Sequence, residues 1–382
     1  MPSSRRLFAH VHRNRYGRQL GAFYGVPLVL CGAVSAGSIL ASEAQSDACS
    51  AGNGLTPICG FQRPEDIEVM PGGKTLLVSE YGSLDGTRPG KLTLFRIADG
   101  STETLYPRAG ADVNDPRWGD EACPGPPGEK LSPHGIHHSE SGGLDRVFVV
   151  NHGGREAVEL FELELRDDGA ASLTWRGCVT VPEGVWMNDV VGLPGGGIAI
   201  THMMPRGSSE EAINEAEISR DDTGYALEWH AGSGWNRLAG TDGGLPNGIE
   251  VSADGGTLYL NYYFGDRVAA VDRASGERLW DIEVDAPDNS SWTAGGKLLV
   301  ASHRENLEAV FACNEPGVQI CPLAFAILSI DPRNGLTTIL FEGAGPPMAG
   351  ATVAVEVGTT IFLGSFAGDR MARFERNAVA TE

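Results

Sequence analysis

The stretch "PNGIEVSADGGTLYLNYYFGDRVAAVDR", residues 246–273, decides the fold. It holds a short apolar segment, a Gly-Gly turn, a second apolar strand, a polar break and a third strand. The same order recurs in "PEDIEVMPGGKTLLVSEYG" (64–82) with "GKLTLFRI" (90–97), and in "PHGIHHSESGGLDRVFVVNHGGREAVELFEL" (133–163). It returns in "MNDVVGLPGGGIAITHMM" (187–204), in "PDNSSWTAGGKLLVASHR" (287–304) with "FAILSIDP" (325–332), and in "MAGATVAVEVGTTIFLGSFAGDRMARFE" (348–375). The copies begin near residues 65, 134, 188, 247, 288 and 350. Short strands with glycine turns at a spacing of roughly 50–60 residues are the signature of propeller blades, each a small sheet that must stack on its neighbours. The repeat predicts an all-β, six-bladed β-propeller over residues 45–382. Two β-sandwiches are the alternative, but no linker-like shift in composition divides the chain. The stretches 99–132 and 203–243 read as surface loops, with a helical turn in "SSEEAINEAEISRDD" (208–222).

Composition agrees with many tight turns. Glycine supplies 52 of 382 residues, nearly twice the usual share of about 7%. Hydrophobic residues make up 41% and charged residues 21%, which excludes a disordered chain and a polytopic membrane protein.

Charge divides the chain in two. Residues 1–44 carry five arginines and one acid, whereas the remainder carries 24 basic and 49 acidic residues, a net −25. Such a body repels phosphate backbones and argues against a nucleic-acid partner. The arginines precede Leu20–Ser42, which is uncharged and apolar. Residues 1–44 therefore read as an export signal with small residues near Ser42–Ala44 for cleavage, or as an uncleaved membrane anchor through residues 20–42. Both place the body outside the cytoplasm, secreted or periplasmic. Beyond Cys31, six cysteines remain and permit fifteen pairings. Cys49–Cys59 and Cys313–Cys321 would close short loops and are the natural first choices, with Cys123–Cys178 then remaining, but spacing leaves the connectivity open. None has CxxC spacing, so zinc and thioredoxin chemistry lack support.

The starts of the repeats carry Glu65-Asp66, Asn188-Asp189, Asn247-Gly248 and Asp288-Asn289. The innermost strands of a propeller line its axis, so these positions converge. Carboxylates and amide oxygens without a soft ligand suit a hard cation, and Ca²⁺ accepts six to eight such oxygens.

"PHGI" (133–136), "VVNH" (149–152) before "AVELFEL", "MNDVVG" (187–192), "LPNGIEVSADG" (245–255), "DN" (288–289) and "LLVASH" (298–303) resemble, in order, the paraoxonase/arylesterase family. That family lies within the wider SMP-30/gluconolactonase-like propellers. The resemblance implies a central metal-binding tunnel with two calcium ions. Glu65, Asn188, Asn247, Asp288 and Asn289 would hold the catalytic ion. Asp66, Asp189 and the backbone carbonyl of Ile136 would hold a deeper structural one. It further implies His134 as the base that activates water and His152 as its partner, with His202 and His303 on site-lining loops. A neutral imidazole suits that role near pH 7.

The chain departs from the family's pattern in three places. No cysteine follows Cys321 to close the ring, so closure must rest on strand pairing or another bridge. "PEGVWM" (182–187) is unlike the family's segment, and "NSS" (289–291) matches a glycosylation sequon on an expected tunnel residue. The function expected is calcium-dependent hydrolysis of small lactones or aryl esters. A non-catalytic extracellular binding propeller and a sugar-acid lactonase with one divalent ion are the alternatives. No G-x-S-x-G nucleophile elbow is present, and water attack needs none.

Overall fold

A computed structural model describes residues 49–376, apart from 167–168, 314–319, 322 and 349. Residues 1–44, expected as export signal or anchor, lie outside the described residues. Six four-stranded antiparallel sheets surround one axis. Blade 1 runs Pro64–Val69, Thr75–Glu80, Lys91–Arg96 and Thr102–Tyr106 from the axis outward, and blade 2 runs Pro133–Ser141, Leu144–Asn151, Ala157–Leu165 and Ala171–Thr180. Blade 3 consists of Met187–Gly192, Ile198–His202, Tyr225–His230 and Gly234–Arg237. Blade 4 consists of Pro246–Val251, Thr257–Tyr262, Arg267–Asp272 and Arg278–Glu283. Blade 5 consists of Pro287–Trp292, Leu298–His303, Phe325–Ile330 and Thr337–Gly343. Blade 6 takes Ala351–Val357, Thr360–Ser365 and Arg370–Glu375 from the C-terminal end and its outermost strand, Thr56–Cys59, from the N-terminal side.

That last pairing closes the ring: Thr56 sits opposite Arg373 and Cys59 opposite Arg370. Strand pairing does what a terminal disulfide would otherwise do. The three disulfides are Cys49–Cys59, Cys123–Cys178 and Cys313–Cys321, a complement that belongs to an oxidising compartment.

Period-two alternation explains the core. In "TLLVSE", Leu77 faces blade 2, where it joins Ile136, Val147 and Phe161, while Leu76 and Val78 face blade 6 beside Val353 and Phe362. Both faces of the strand are buried, so it reads as an unbroken apolar run.

Each innermost strand carries a register shift near its start, as at Pro64/Asp66, Pro133/Ile136, Met187/Val190, Pro246/Ile249, Pro287/Ser290 and Ala351/Val353. A bulge turns two consecutive residues off the ladder, so both can reach the axis. Space there is tight. A Cβ at Gly135 would lie 2.4 Å from the Asp189 carboxylate, and one at Gly248 would lie 2.6 Å from the Asp288 carbonyl. Blades 2 and 4 therefore carry glycine where blades 1, 3 and 5 carry Asp or Asn.

Two expected surface loops are corrected. The stretch 203–243 contains the two outer strands of blade 3, and 99–132 contains the outer strand of blade 1. Insertions beside those strands break the spacing that marks the other blades. The acidic segment forms a full helix, α1, Glu210–Ser219, rather than a turn. Ser209 accepts the Ala212 N–H at its start, Glu210 and Glu211 suit the positive end of the helix, and Arg220 ends it at φ 58°. A second helix, α2, spans Leu307–Cys313. Among the described residues no helix is long and apolar enough to cross a membrane.

Candidate active site

Bulges in blades 1 to 5 bring Glu65, His134, Asn188, Asn247 and Asp288 to one axial funnel, where His303, the last residue of Leu298–His303, joins them. These residues line its floor, and the cavity has a volume of about 170 Å³. Its walls are apolar: Leu84, Trp186, Met203 and Met204 on one side, Leu307 and Phe311 of α2 on the other. Both helices pack into this rim, and Glu217 of α1 accepts the Leu307 N–H at 2.8 Å, which ties them together.

On the floor the amide groups are oriented. Asn289 donates its Nδ2 to Glu65 Oε1 at 2.9 Å, Asn188 donates to the Met203 sulfur at 3.5 Å, and Asn247 hydrogen-bonds Asp288. With the NH₂ groups so engaged, Oδ1 of Asn188, Asn247 and Asn289 and Oε2 of Glu65 remain buried without a hydrogen-bond partner. One unsatisfied buried polar atom costs about 1–3 kcal/mol, so four together are comparable to the whole stability of a typical domain. Oxygens of this kind are what a hard cation takes as ligands. Hydroxyls hold the strand starts: Thr352 Oγ1 donates to the Glu65 carbonyl at 2.5 Å and Thr201 Oγ1 to the Asn247 carbonyl at 2.6 Å.

Deeper along the axis, Asp66 accepts the N–H groups of Ile67 and Ile136 at 2.8 and 2.7 Å, and Asp189 those of Val190 and Ile249 at 2.7 and 2.9 Å. Each carboxylate thus bridges to the next blade. Ile136 lies beside them, with Glu68, Glu250 and His137 completing the lining. Among the described residues no group of three or more His, Cys, Asp or Glu side chains is arranged to hold a metal ion. The candidate sets are of another kind, two carboxylates with three amides above and two carboxylates with a backbone carbonyl below.

Burial drives the acids upward. Asp66 rises to about 6 although two backbone N–H groups oppose the shift, and Asp288 rises to about 8 through burial and the nearby Asp66. Glu65 lies well above its usual value, from burial and then from Asp66, Asp288 and Asp189. Asp189 is raised for the same reasons, burial and then Asp66. These acids raise one another because they share one small, dry space.

The histidines divide into three situations. His134 Nδ1 lies 3.0 Å from His152 Nε2, and His134 Nε2 lies 3.8 Å from Glu65 Oε1 at the funnel floor. Burial, and then the charge of His152, holds His134 well below its usual range, so the ring is neutral. His303 bonds Tyr263 Oη through Nδ1 at 2.8 Å and turns Nε2, which has no hydrogen-bond partner, to 3.8 Å from Asp288. His202 is placed elsewhere: its Nδ1 accepts the Trp186 N–H at 3.1 Å, its ring packs on Tyr225, and it is not among the funnel-lining residues. Asn289 is 1% exposed, which puts the "NSS" sequon out of reach of a glycan.

Sequence reasoning missed three contributors. Tyr81 packs 5.0 Å from the His134 ring, Tyr263 holds His303, and Glu156 accepts from His152. Only Glu156 left a signal, standing four residues after His152 across a Gly-Gly turn.

No family model matches the chain, and no curated protein matches it in sequence. Among solved structures, a luciferin-regenerating enzyme superposes with TM-score 0.50 at 12% identity, over 84% of this chain and 94% of that one. A gluconolactonase of Xanthomonas campestris gives 0.48 at 16% over 87% and 93%, and the calcium-binding protein regucalcin of Agrobacterium tumefaciens gives 0.43 at 15% over 84% and 90%. At these identities the likeness is one of fold.

Proposed function

We propose that the chain is an exported, calcium-dependent hydrolase of lactones or aryl esters, of the paraoxonase/arylesterase kind. The observation that carries this reading is the set of four buried, unpartnered oxygens on Glu65, Asn188, Asn247 and Asn289. With Asp288 they make a five-residue oxygen set of charge −2, which balances one Ca²⁺ without excess repulsion. Asp66, Asp189 and the Ile136 carbonyl would hold the deeper, structural ion. Calcium held there would supply Lewis acidity for the ester carbonyl and for the oxyanion that follows.

The protein's own groups handle the proton. His134 Nε2 takes one from water as the water oxygen bonds the carbonyl carbon. Collapse of the tetrahedral oxyanion breaks the acyl C–O bond, and the leaving oxygen recovers that proton from His134. Acid and alcohol, or a ring-opened hydroxy acid, are the products. Leu84, Trp186, Met203, Met204, Leu307 and Phe311 shape the pocket for an apolar acyl or aryl group. A sugar acid would find few hydrogen-bond partners on those walls, which disfavours the sugar-lactonase reading. A concave apolar funnel with convergent polar groups at its floor suits a small molecule better than a protein partner.

The test is hydrolysis of γ- and δ-lactones and phenyl acetate by metal-stripped and calcium-reloaded protein. Activity lost on stripping and restored by Ca²⁺ is expected. Calcium-raised thermal stability without turnover would favour a binding propeller, and no effect of calcium on stability or turnover would overturn the reading.

A further inference from the structure

We infer that Glu156 is the positioning residue that sets the tautomers of both histidines, making His134 Nε2 the proton acceptor. This deepens the hydrolase reading and rests on it. Both Glu156 oxygens lie 3.0 Å from His152 Nδ1. Oε1 also accepts the Met187 N–H at 2.8 Å, and Oε2 faces Arg206 Nη2 at 3.5 Å. Donors thus surround the carboxylate, and an ionised carboxylate can only accept. His152 must therefore carry its proton on Nδ1. In the neutral ring its Nε2 is then a lone pair, and the 3.0 Å contact to His134 requires the His134 Nδ1–H as donor. A neutral imidazole has one N–H, so His134 Nε2 is left bare, on the side that faces Glu65 at 3.8 Å.

Reversing the first link reverses the rest. A hydrogen bond donated to His152 Nδ1 would leave His152 with Nε2–H, make His134 Nδ1 the acceptor, and put the only His134 proton on Nε2. Water could not then be deprotonated there. Glu156 touches no reacting atom and acts through two rings. None of the contacts made by Glu156 is to Asp66, Asp189 or a funnel-floor oxygen, so its role can be tested apart from metal binding. After His134 takes the water proton at Nε2, its Nδ1–H bond to His152 persists and the cation is stabilised through the same chain.

The experiment compares the full chain with E156Q and E156D, labelled with ¹⁵N-histidine, by long-range ¹H–¹⁵N correlation and by steady-state kinetics. Gln keeps the size but offers an NH₂ that can donate to His152 Nδ1; Asp keeps the charge. In the unsubstituted protein both rings should be protonated at Nδ1. In E156Q the His152 proton should move to Nε2, with kcat down about 100-fold or more, KM within about threefold, and the calcium-dependent rise in Tm unchanged. E156D should retain the native tautomers and recover much of kcat. Native tautomers with undiminished kcat in E156Q overturn the proposal, as does Nε2-protonated His152 in the unsubstituted protein, a result that stands even where a variant fails to fold. If the protein turns over no ester or lactone, the hydrolase reading falls, while the tautomer measurement still decides the role of Glu156.

Discussion

Asn247 and Asp66 show how two proposed oxygen ligands near one axis differ in consequence. The Asn247 oxygen is buried and unpartnered, so Asn247→Ala removes an acceptor that the fold does not otherwise use. Asn247→Ala and Asp288→Ala should lose turnover by at least about 100-fold with Tm little changed in metal-free protein. Asp66 and Asp189 each accept two backbone N–H groups, and Ala there leaves buried donors unpaired at about 1–3 kcal/mol apiece. Those variants should melt lower even without metal and lose part of the calcium-induced stabilisation. Equal melting of all four variants, with and without calcium, would sink the two-site arrangement.

Titration of the same acids gives a signed prediction. Asp66 at about 6 and Asp288 at about 8 lie above the unfolded value of about 3.9. The folded state holds these protons longer, so their contribution is fully present below pH of about 4 and is lost as pH rises through those values. Stripped protein should therefore melt progressively lower from about pH 5 to about pH 9, and saturating calcium should flatten that slope. Melting curves at fixed ionic strength decide it, and a stripped-protein Tm that climbs over that interval refutes the account.

At the scale of the element, the bulge is the functional unit. It turns consecutive residues such as Glu65 and Asp66 toward different depths, and it lets Asp66 and Asp189 reach N–H groups of neighbouring blades. Gly135 is the tightest of these junctions, because a Cβ there would meet the Asp189 carboxylate at 2.4 Å. Gly135→Ala should cost about 1–3 kcal/mol through overpacking and displace Asp189. Denaturant unfolding checks the first part, and calcium-dependent melting the second. A variant as stable and as calcium-responsive as the parent would show that the strands can separate freely there. Helices α1 and α2 supply the apolar rim, and the Glu217 bond to Leu307 makes them one cover.

Across the whole molecule, six blades share six interfaces, and the ring is complete only when Thr56–Cys59 joins Arg370–Glu375. Deleting residues 49–60 should strip blade 6 of its edge and the Cys49–Cys59 clip, leaving a protein that unfolds at lower temperature and denaturant. Retention of the parent Tm in that deletion would mean that ring closure contributes nothing. Non-local closure of this kind also explains why the ends, far apart in sequence, are bound together.

The fold was legible in the chain because glycine turns and buried strands leave local marks. The blade starts read at 65, 134, 188, 247, 288 and 350 fall on or within one residue of the inner strands. Those marks fail where α1 is inserted before Tyr225–His230, and there the third strand of blade 3 passed for a loop. The paired acids and amides at the blade starts and the propeller were determined by sequence alone, since each is a property of short segments and their spacing, whereas the choice among the fifteen cysteine pairings was made by the tertiary structure. Which way each amide turns, that His202 faces Trp186 and Tyr225 rather than the funnel, that both members of a pair reach the axis, and that Glu156 closes on His152 were decided only by tertiary structure. These depend on bulge geometry and on contacts between blades, which no single segment carries.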